Sequence, residues 1–136
     1  MPIDSSVSTG NPWETRFGYS RAVRAGNLIF TTGTVSMNPD GSPFTPGGPD
    51  DAGARALRCL HIIGGAVEQL GGKVSDIVRT RFYVTDISRS EVFGLAHAAF
   101  FDGSGGGHRP CLTMVEVTRL IAPEFLIEIE AEAVLA

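Results

Sequence analysis

Long hydrophobic runs are absent from this sequence. No stretch of its 136 residues approaches the roughly 20 consecutive apolar residues that a membrane-spanning helix needs. Residues 1–16 contain neither an apolar run nor a cluster of basic residues, so we expect no signal peptide. These two absences argue against a membrane partner and favour a cytoplasmic location.

Cysteine is scarce as well. Cys59 and Cys111 stand at no CxxC or metal-ligand spacing, and each lies within an apolar segment. We therefore expect two buried free thiols in a reducing compartment and no disulfide. The histidines, His61, His97 and His108, also lack metal-ligand spacing, so no metal site is expected.

Positive charge is in the minority. Eleven lysines and arginines stand against fifteen aspartates and glutamates, a net charge of −4. This balance argues against nucleic acid as a partner, because phosphates attract basic surfaces. The glycine-rich stretch 103–107 lacks the lysine and hydroxyl residue of a phosphate-binding loop.

The composition that remains is typical of one globular domain. Apolar residues make up 43% and charged residues 19% of a chain long enough to enclose one hydrophobic core. We expect a single domain over 1–136, in which residues 1–16 form a polar lead-in.

Local patterns predict the first elements. Two β-prone runs, 19–25 and 28–32, flank Gly26-Asn27 and predict a tight hairpin. Residues 38–49, rich in proline and glycine, predict a long loop.

A long amphipathic helix is predicted next. Asp50 and Asp51 provide an N-cap and negative charge at the positive end of the helix dipole, and Gly71-Gly72 ends the helix. Its apolar stripe consists of Ala52, Ala56, Leu57, Leu60, Ile63, Val67 and Leu70.

The second half begins with a strand and a second helix. Residues 77–85 alternate, which predicts a strand with Val78, Phe82 and Val84 on its core face. Ser88 opens the helix. Its expected core stripe is Val92, Leu95, Ala96, Ala99 and Phe100.

Two last strands, over 112–117 and 125–135, complete the order β-β-α-β-α-β-β. This order predicts an α+β fold with two helices on one face of a mixed sheet. The other face would carry Glu128, Glu130 and Glu132 among apolar residues. A half-apolar face of this kind is typical of a surface that partner subunits cover.

This element order and several strings resemble the Rid (YjgF) family across nearly the whole chain. The strings are GNLIFTTG at 26–33, VRTRFYVTD at 78–86, Arg109-Pro110, VEV at 115–117 and IEIEA at 127–131. The resemblance implies a chorismate-mutase-like fold and a homotrimer with small-molecule pockets between its subunits. It also implies deamination of imines or enamines without a cofactor.

The resemblance further implies particular site residues. Glu128 matches the glutamate that positions the attacking water, Tyr19 matches an aromatic wall, and Thr32 matches a pocket hydroxyl that Gly33 follows. From the residues alone, the commoner interpretation of Glu128 is a strand glutamate that is either solvated or paired with a neighbouring arginine.

One position departs from the family pattern. Leu112 stands where the family's deaminases have the arginine that grips the substrate carboxylate, and Met114 replaces a cysteine that is frequent near the pocket. Arg109 lies three residues upstream, an odd offset that points to the opposite face of a strand. The standard 2-imino acid is therefore not the expected substrate.

Three other residues are candidates for this pocket. Arg21 shares strand parity with Tyr19 and is a candidate substrate-binding cation, although a solvated strand arginine is the commoner interpretation. His97 is a candidate as well, although a histidine on the helix surface is the commoner interpretation. Cys111 is expected to be a buried thiol near the pocket.

Three functions remain open. The first is an enzyme that hydrolyses or tautomerises an imine or enamine, with Glu128 holding water and Leu112 selecting an uncharged group. The second is a non-catalytic trimer that binds a metabolite. The third is an RNA-cleaving protein, as the family was once described, which the acidic composition disfavours.

Overall fold

Over residues 3–103 and 107–136, which this computed structural model describes, the fold is a seven-stranded mixed sheet with three α-helices. The strands are β1 (Ser5–Val7), β2 (Ala22–Ala25), β3 (Leu28–Thr31), β4 (Thr34–Val35), β5 (Ile77–Val84), β6 (Cys111–Glu116) and β7 (Ile127–Val134). The helices are α1 (Pro12–Phe17), α2 (Asp51–Gln69) and α3 (Ser90–Gly103).

The strand order is β1-β2-β3-β7-β5-β6, and β4 also pairs with β7. Only β5 and β6 run parallel, so the predicted mixed sheet is confirmed. The predicted hairpin is also confirmed: Ala25 pairs with Leu28 around a two-residue turn in which Gly26 has φ of 62°. This order places β7 in the interior of the sheet.

The predicted polar lead-in contains regular structure. Ser5–Val7 adds β1 to the edge of the hairpin. Asn11 then caps α1 by accepting a hydrogen bond from the Trp13 amide at 2.9 Å, with Pro12 at the first helical position. Helical periodicity could not reveal α1 because the helix has only 6 residues.

Two predicted core faces are shifted. Val78 is 43% exposed, because a bulge-like register shift between Ile77 and Arg79 moves it out of the alternation. In α3, Leu95 is 63% exposed. The residues of α3 that are buried are Phe93, Ala96, His97 and Phe101, one position later than the predicted stripe.

Helix α2 closely follows its predicted bounds, but its first turn differs from the prediction. Asp50 makes no side-chain capping bond. Asp51 instead accepts a hydrogen bond from the Gly47 amide at 2.8 Å and pairs with Arg55 at 2.8 Å. Among the described helices, none combines the length and hydrophobicity that membrane crossing requires.

One face of the sheet packs against α2 and α3 to form the core. Strand β7 contributes Ile127, Ile129, Ala131 and Ala133, as the alternation predicts. Phe125, predicted on the same face, precedes the strand and is buried but lies outside this core cluster. In the described part of the chain, neither α2 nor α3 covers the opposite face. It carries the three glutamates of β7 together with apolar side chains such as Phe30, which is 41% exposed.

Candidate functional site

Glu128 lies near the start of β7 and points to the open face of the sheet, because Ile127 and Ile129 on either side of it are buried. Its cross-strand neighbours are Val35 on β4 and Tyr83 on β5. None of the described residues donates a hydrogen bond to its carboxylate. The side chain is therefore available to water or a ligand.

The other two glutamates of β7 are engaged. Arg81 Nη1 lies 2.8 Å from Glu132 Oε1 and 3.5 Å from Glu130 Oε1. The Tyr83 hydroxyl donates to Glu130 Oε1 at 2.6 Å. Cross-strand pairing thus accounts for Glu130 and Glu132 but leaves Glu128 without a partner among the described residues.

The surroundings of Glu128 make it a weaker acid than an isolated glutamate. Burial of the carboxyl raises the pKa of Glu128, and the negative charge of Glu130 raises it further, while the positive charge of Arg21 opposes the shift. A carboxyl group whose pKa moves toward neutrality is better suited to exchange protons during a reaction.

Gly33 provides the space that this carboxylate occupies. A Cβ atom at Gly33 would overlap Oε2 of Glu128 and would lie 3.0 Å from its Cδ. The Gly33 carbonyl accepts a hydrogen bond from Arg21 Nη1 at 3.3 Å. A side chain at this position would displace the Glu128 carboxylate.

A cavity of about 200 Å³ opens beside Glu128. It brings Glu128 together with three other predicted site residues, Tyr19, Arg21 and Gly33. The remaining lining residues are Asn11, Trp13, Phe17, Val35, Met37, Gly41, Ile121 and Phe125. A larger groove of about 790 Å³ lies along α2 and α3, but none of the predicted site residues lines it.

Arg21 is buried, at 2% exposure, so the interpretation as a solvated strand arginine is wrong. Its Nη2 and Nε donate to Glu14 Oε2 at 3.1 and 3.2 Å. Its Nη1 donates to the Gly33 carbonyl and, at 3.1 Å, to Thr34 Oγ1. The counter-charge is Glu14 of α1, which lies in the predicted polar lead-in.

Glu14 remains a carboxylate in this pair. Burial opposes its ionisation, but hydrogen bonds from Thr9 and Ser8 and the charge of Arg21 outweigh that effect and lower the pKa of Glu14. Thr9 Oγ1 donates at 2.6 Å and Ser8 Oγ at 2.8 Å. The pair therefore brings no net charge to the cavity wall.

Thr32 lies outside the cavity lining. Its hydroxyl donates to the Ser20 carbonyl at 2.6 Å, which ties the end of β3 to the segment before β2. Tyr19 does line the cavity, and its ring centroid lies 5.7 Å from the guanidinium carbon of Arg21.

Leu112 and Met114 lie on the face of the sheet opposite Glu128. The parallel register pairs them with Thr80 and Phe82, both of which are buried toward the helices. Leu112 lines a separate cavity of about 360 Å³ at the C-terminal half of α3. Within one chain, these two predicted residues therefore do not meet Glu128.

Three expectations around α3 and β6 are wrong. Arg109 was expected to point away from Leu112, but both residues line the same cavity. Arg109 precedes β6, so the alternation of side chains along a strand does not apply to it. His97 is buried and its Nε2 lies 2.9 Å from Thr80 Oγ1, and burial lowers its pKa. Cys111 is exposed, whereas Cys59 is buried as expected.

The contribution of α1 to the site was not predicted from the sequence. Asn11, Trp13 and Phe17 all line the cavity. The available signal was Asn11 followed by Pro12, a typical N-cap and first helical residue.

Across residues 3–103 and 107–136, no three histidine, cysteine or acidic side chains come together as metal ligands would.

Known proteins resemble this chain in sequence and fold. Residues 9–135 match the family described as Endoribonuclease L-PSP. The 2-iminobutanoate/2-iminopropanoate deaminase of Escherichia coli (strain K12) is 33% identical over 132 residues, which cover 97% of this chain and 98% of the relative.

Two solved structures show the same fold. Rv2704 from Mycobacterium tuberculosis, a member of the YjgF/YER057c/UK114 family, is 43% identical with a TM-score of 0.82, covering 96% of this chain and 98% of that one. The YjgF gene product of E. coli is 36% identical with a TM-score of 0.75, covering 85% and 87%.

Proposed function

This chain belongs to the Rid (YjgF) family, and on that premise we propose that it hydrolyses or tautomerises a small imine or enamine metabolite. Glu128 is the proposed catalytic residue, and Tyr19, Arg21 and Gly33 shape its cavity. No cofactor takes part in the proposed reaction.

The observation that carries this proposal is the unpartnered carboxylate of Glu128 at the cavity wall. A carboxylate in this position accepts a proton from water as the water oxygen adds to the imine carbon. The same carboxyl then returns the proton to nitrogen, and the C–N bond of the carbinolamine breaks to give a carbonyl compound and ammonia. The raised pKa of Glu128 suits both transfers.

The proposed assembly is a homotrimer that covers the open face of the sheet. Leu112 and Met114 lie on the face opposite Glu128, so a neighbouring subunit would have to bring them to its cavity. The exposed apolar side chains on the open face, such as Phe30, support a subunit contact there.

The proposed substrate is not the usual 2-imino acid. A carboxylate that loses its bidentate arginine partner in a desolvated pocket typically loses about 2–5 kcal/mol of binding. Leucine at position 112 has no charge with which to bind a carboxylate, and Arg21 already forms an ion pair with Glu14. We therefore place the substrate among imines that do not depend on such a grip.

The deciding experiment separates an enzyme from a binding protein. The native protein is incubated with a panel of freshly generated imines, and carbonyl product, ammonia and thermal stability are followed together. Product formation above the uncatalysed rate supports the enzyme. Ligand-dependent stabilisation without product would instead favour the non-catalytic metabolite-binding trimer.

A further inference from the structure

The cavity offers one free charge. Two ionisable residues of opposite charge, Arg21 and Glu128, line it. The guanidinium of Arg21 is matched by Glu14 at 3.1 Å and donates further bonds to Gly33 and Thr34. Within the described part of the chain, the carboxylate of Glu128 has no corresponding partner. A ligand therefore meets a free negative charge and a positive charge that is already neutralised.

Aromatic rings form part of the cavity wall. The centroids of Trp13 and Phe17 lie 5.4 Å apart, and Tyr19 and Phe125 also line the cavity. The faces of such rings attract cations through their quadrupoles. The guanidinium carbon of Arg16 already lies 5.3 Å from the Trp13 ring centroid and 5.6 Å from that of Phe17.

The charges next to the cavity reinforce this preference. Arg79 and Arg81 on β5 are held by Glu132 and Glu130 on β7. On this face of the sheet, the three carboxylates of β7 stand beside the two guanidinium groups of β5, and Glu128 is the carboxylate that no arginine pairs with. The charge of Glu128 opposes an anionic ligand and attracts a cationic one, and Arg16, over the Trp13 and Phe17 rings, is the positive charge that counteracts it.

We infer that this cavity selects a small organic cation, namely a protonated imine or enamine whose carbon skeleton carries no carboxylate. The inference rests on the proposed function, because it assigns the substrate class of the same site. A carboxylate-bearing imine would place a second negative charge beside Glu128, whereas an iminium group pairs with it.

The cationic form is also the reactive form. When water adds to the carbon of an iminium ion, Glu128 takes one water proton and the product is a neutral carbinolamine. The proton then passes from Glu128 to the amine nitrogen, the C–N bond breaks, and the hydroxyl proton leaves with ammonia as ammonium. The net reaction is iminium plus water giving carbonyl compound plus ammonium.

Three stable probes of one ring size test the charge preference without any reaction. Pyrrolidine is a cation at neutral pH, cyclopentanol is neutral, and cyclopentanecarboxylate is an anion. Binding of each to the native full chain is measured by NMR titration. We expect pyrrolidinium to bind at least about tenfold more tightly than cyclopentanol, and the carboxylate to bind most weakly.

Matched variants locate the source of the preference. Glu128→Gln should abolish the preference for pyrrolidinium over cyclopentanol. Glu91→Gln removes the same charge from the exposed first turn of α3 and should leave the preference unchanged. Trp13→Leu should weaken pyrrolidinium binding more than cyclopentanol binding. A preference that survives Glu128→Gln would overturn the inference.

Two further results would overturn it. One is that cyclopentanecarboxylate binds as tightly as pyrrolidinium. The variant Arg16→Gln would then show whether Arg16 binds that carboxylate. The other is no binding of pyrrolidinium at millimolar concentration. The inference and the proposed function can be tested separately. Imine hydrolysis without a preference for cations would contradict only the inference. A preference for cations without imine hydrolysis would contradict only the proposed function.

Discussion

Gly33 leaves open the space that Oε2 of Glu128 fills, and a Cβ atom at that glycine would lie 3.0 Å from the Glu128 Cδ. The segment after β3 and the start of β7 therefore fit together only when residue 33 has no side chain. This fit fixes where the proposed catalytic carboxylate stands relative to the cavity.

The first prediction concerns this contact. Gly33→Ala should lower kcat/KM about 100-fold, because displacement of a catalytic group by about 1 Å has effects of that size. The free energy of unfolding should change by less than about 1 kcal/mol, since the displaced atoms are the flexible end of Glu128. Steady-state kinetics and urea denaturation measure the two quantities.

Gly65→Ala is the control for that substitution. Gly65 lies within α2, and an added Cβ meets nothing within 4 Å. The variant should be more stable by about 1 kcal/mol, as alanine is preferred over glycine in helices. Its turnover should equal that of the native protein. Unchanged turnover in Gly33→Ala would show that the position of Glu128 is not critical.

The second prediction is that Glu14 and Glu128 show opposite pH dependence of stability. The folded-state pKa of Glu14 is lowered from 4.5, so its stabilising contribution is present above 4.5 and is lost as pH falls through the folded-state value. The folded-state pKa of Glu128 is raised from 4.5, so its contribution is full below 4.5 and is lost as pH rises through the folded-state value.

Glutamine variants expose these contributions. At neutral pH, Glu14→Gln should have a lower Tm than the native protein, and the difference should shrink as the pH falls below 4.5. Glu128→Gln should have a higher Tm than the native protein at neutral pH, and this difference should also shrink in acid. Thermal melts across the pH range measure both, and a stabilising effect of Glu14→Gln at neutral pH would contradict the assigned role of the Arg21 pair.

The third prediction tests the proposed assembly. Phe30→Glu places a charge on the open face of the sheet and should dissociate the trimer. Leu95→Glu is the control, because Leu95 is 63% exposed on α3. Sedimentation should report a trimer for the native protein and for the control. A native monomer would refute the assembly.

The fourth prediction tests the departure at position 112. Leu112→Arg should raise kcat/KM for carboxylate-bearing 2-imino acids by about 30-fold or more, the factor that corresponds to at least about 2 kcal/mol of charge pairing. The gain requires a neighbouring subunit to bring residue 112 to Glu128. Efficient turnover of these acids by the native protein would show that Leu112 does not limit recognition.

The parts of the site that depend on alternation could be predicted from the sequence. Strand β7 alternates without interruption, so the orientation of Glu128 follows from the buried isoleucines on either side of it. Burial of Arg21 could not be predicted, because its counter-charge Glu14 is brought to it by a helix too short to show periodicity.

Local irregularities account for the wrong core assignments. Val78 lies at a register shift in β5, and the residues on either side of it give no sequence signal for that shift. Helix α3 is apolar over most of its surface, so several apolar stripes fit its sequence. The predicted stripe is displaced by one position from the residues that are buried. Burial of His97 follows from that displacement, and its bond to Thr80 depends on packing between α3 and β5.

The most direct test of the account compares Glu128→Gln with Glu130→Gln in imine hydrolysis. Both variants remove one carboxylate charge from the same strand face, but only Glu128 lines the cavity. Glu128→Gln should lower kcat by about 100- to 10,000-fold, the usual range for loss of a general acid–base, and Glu130→Gln should retain most of the activity. Equal kcat values for native protein and Glu128→Gln would contradict the account.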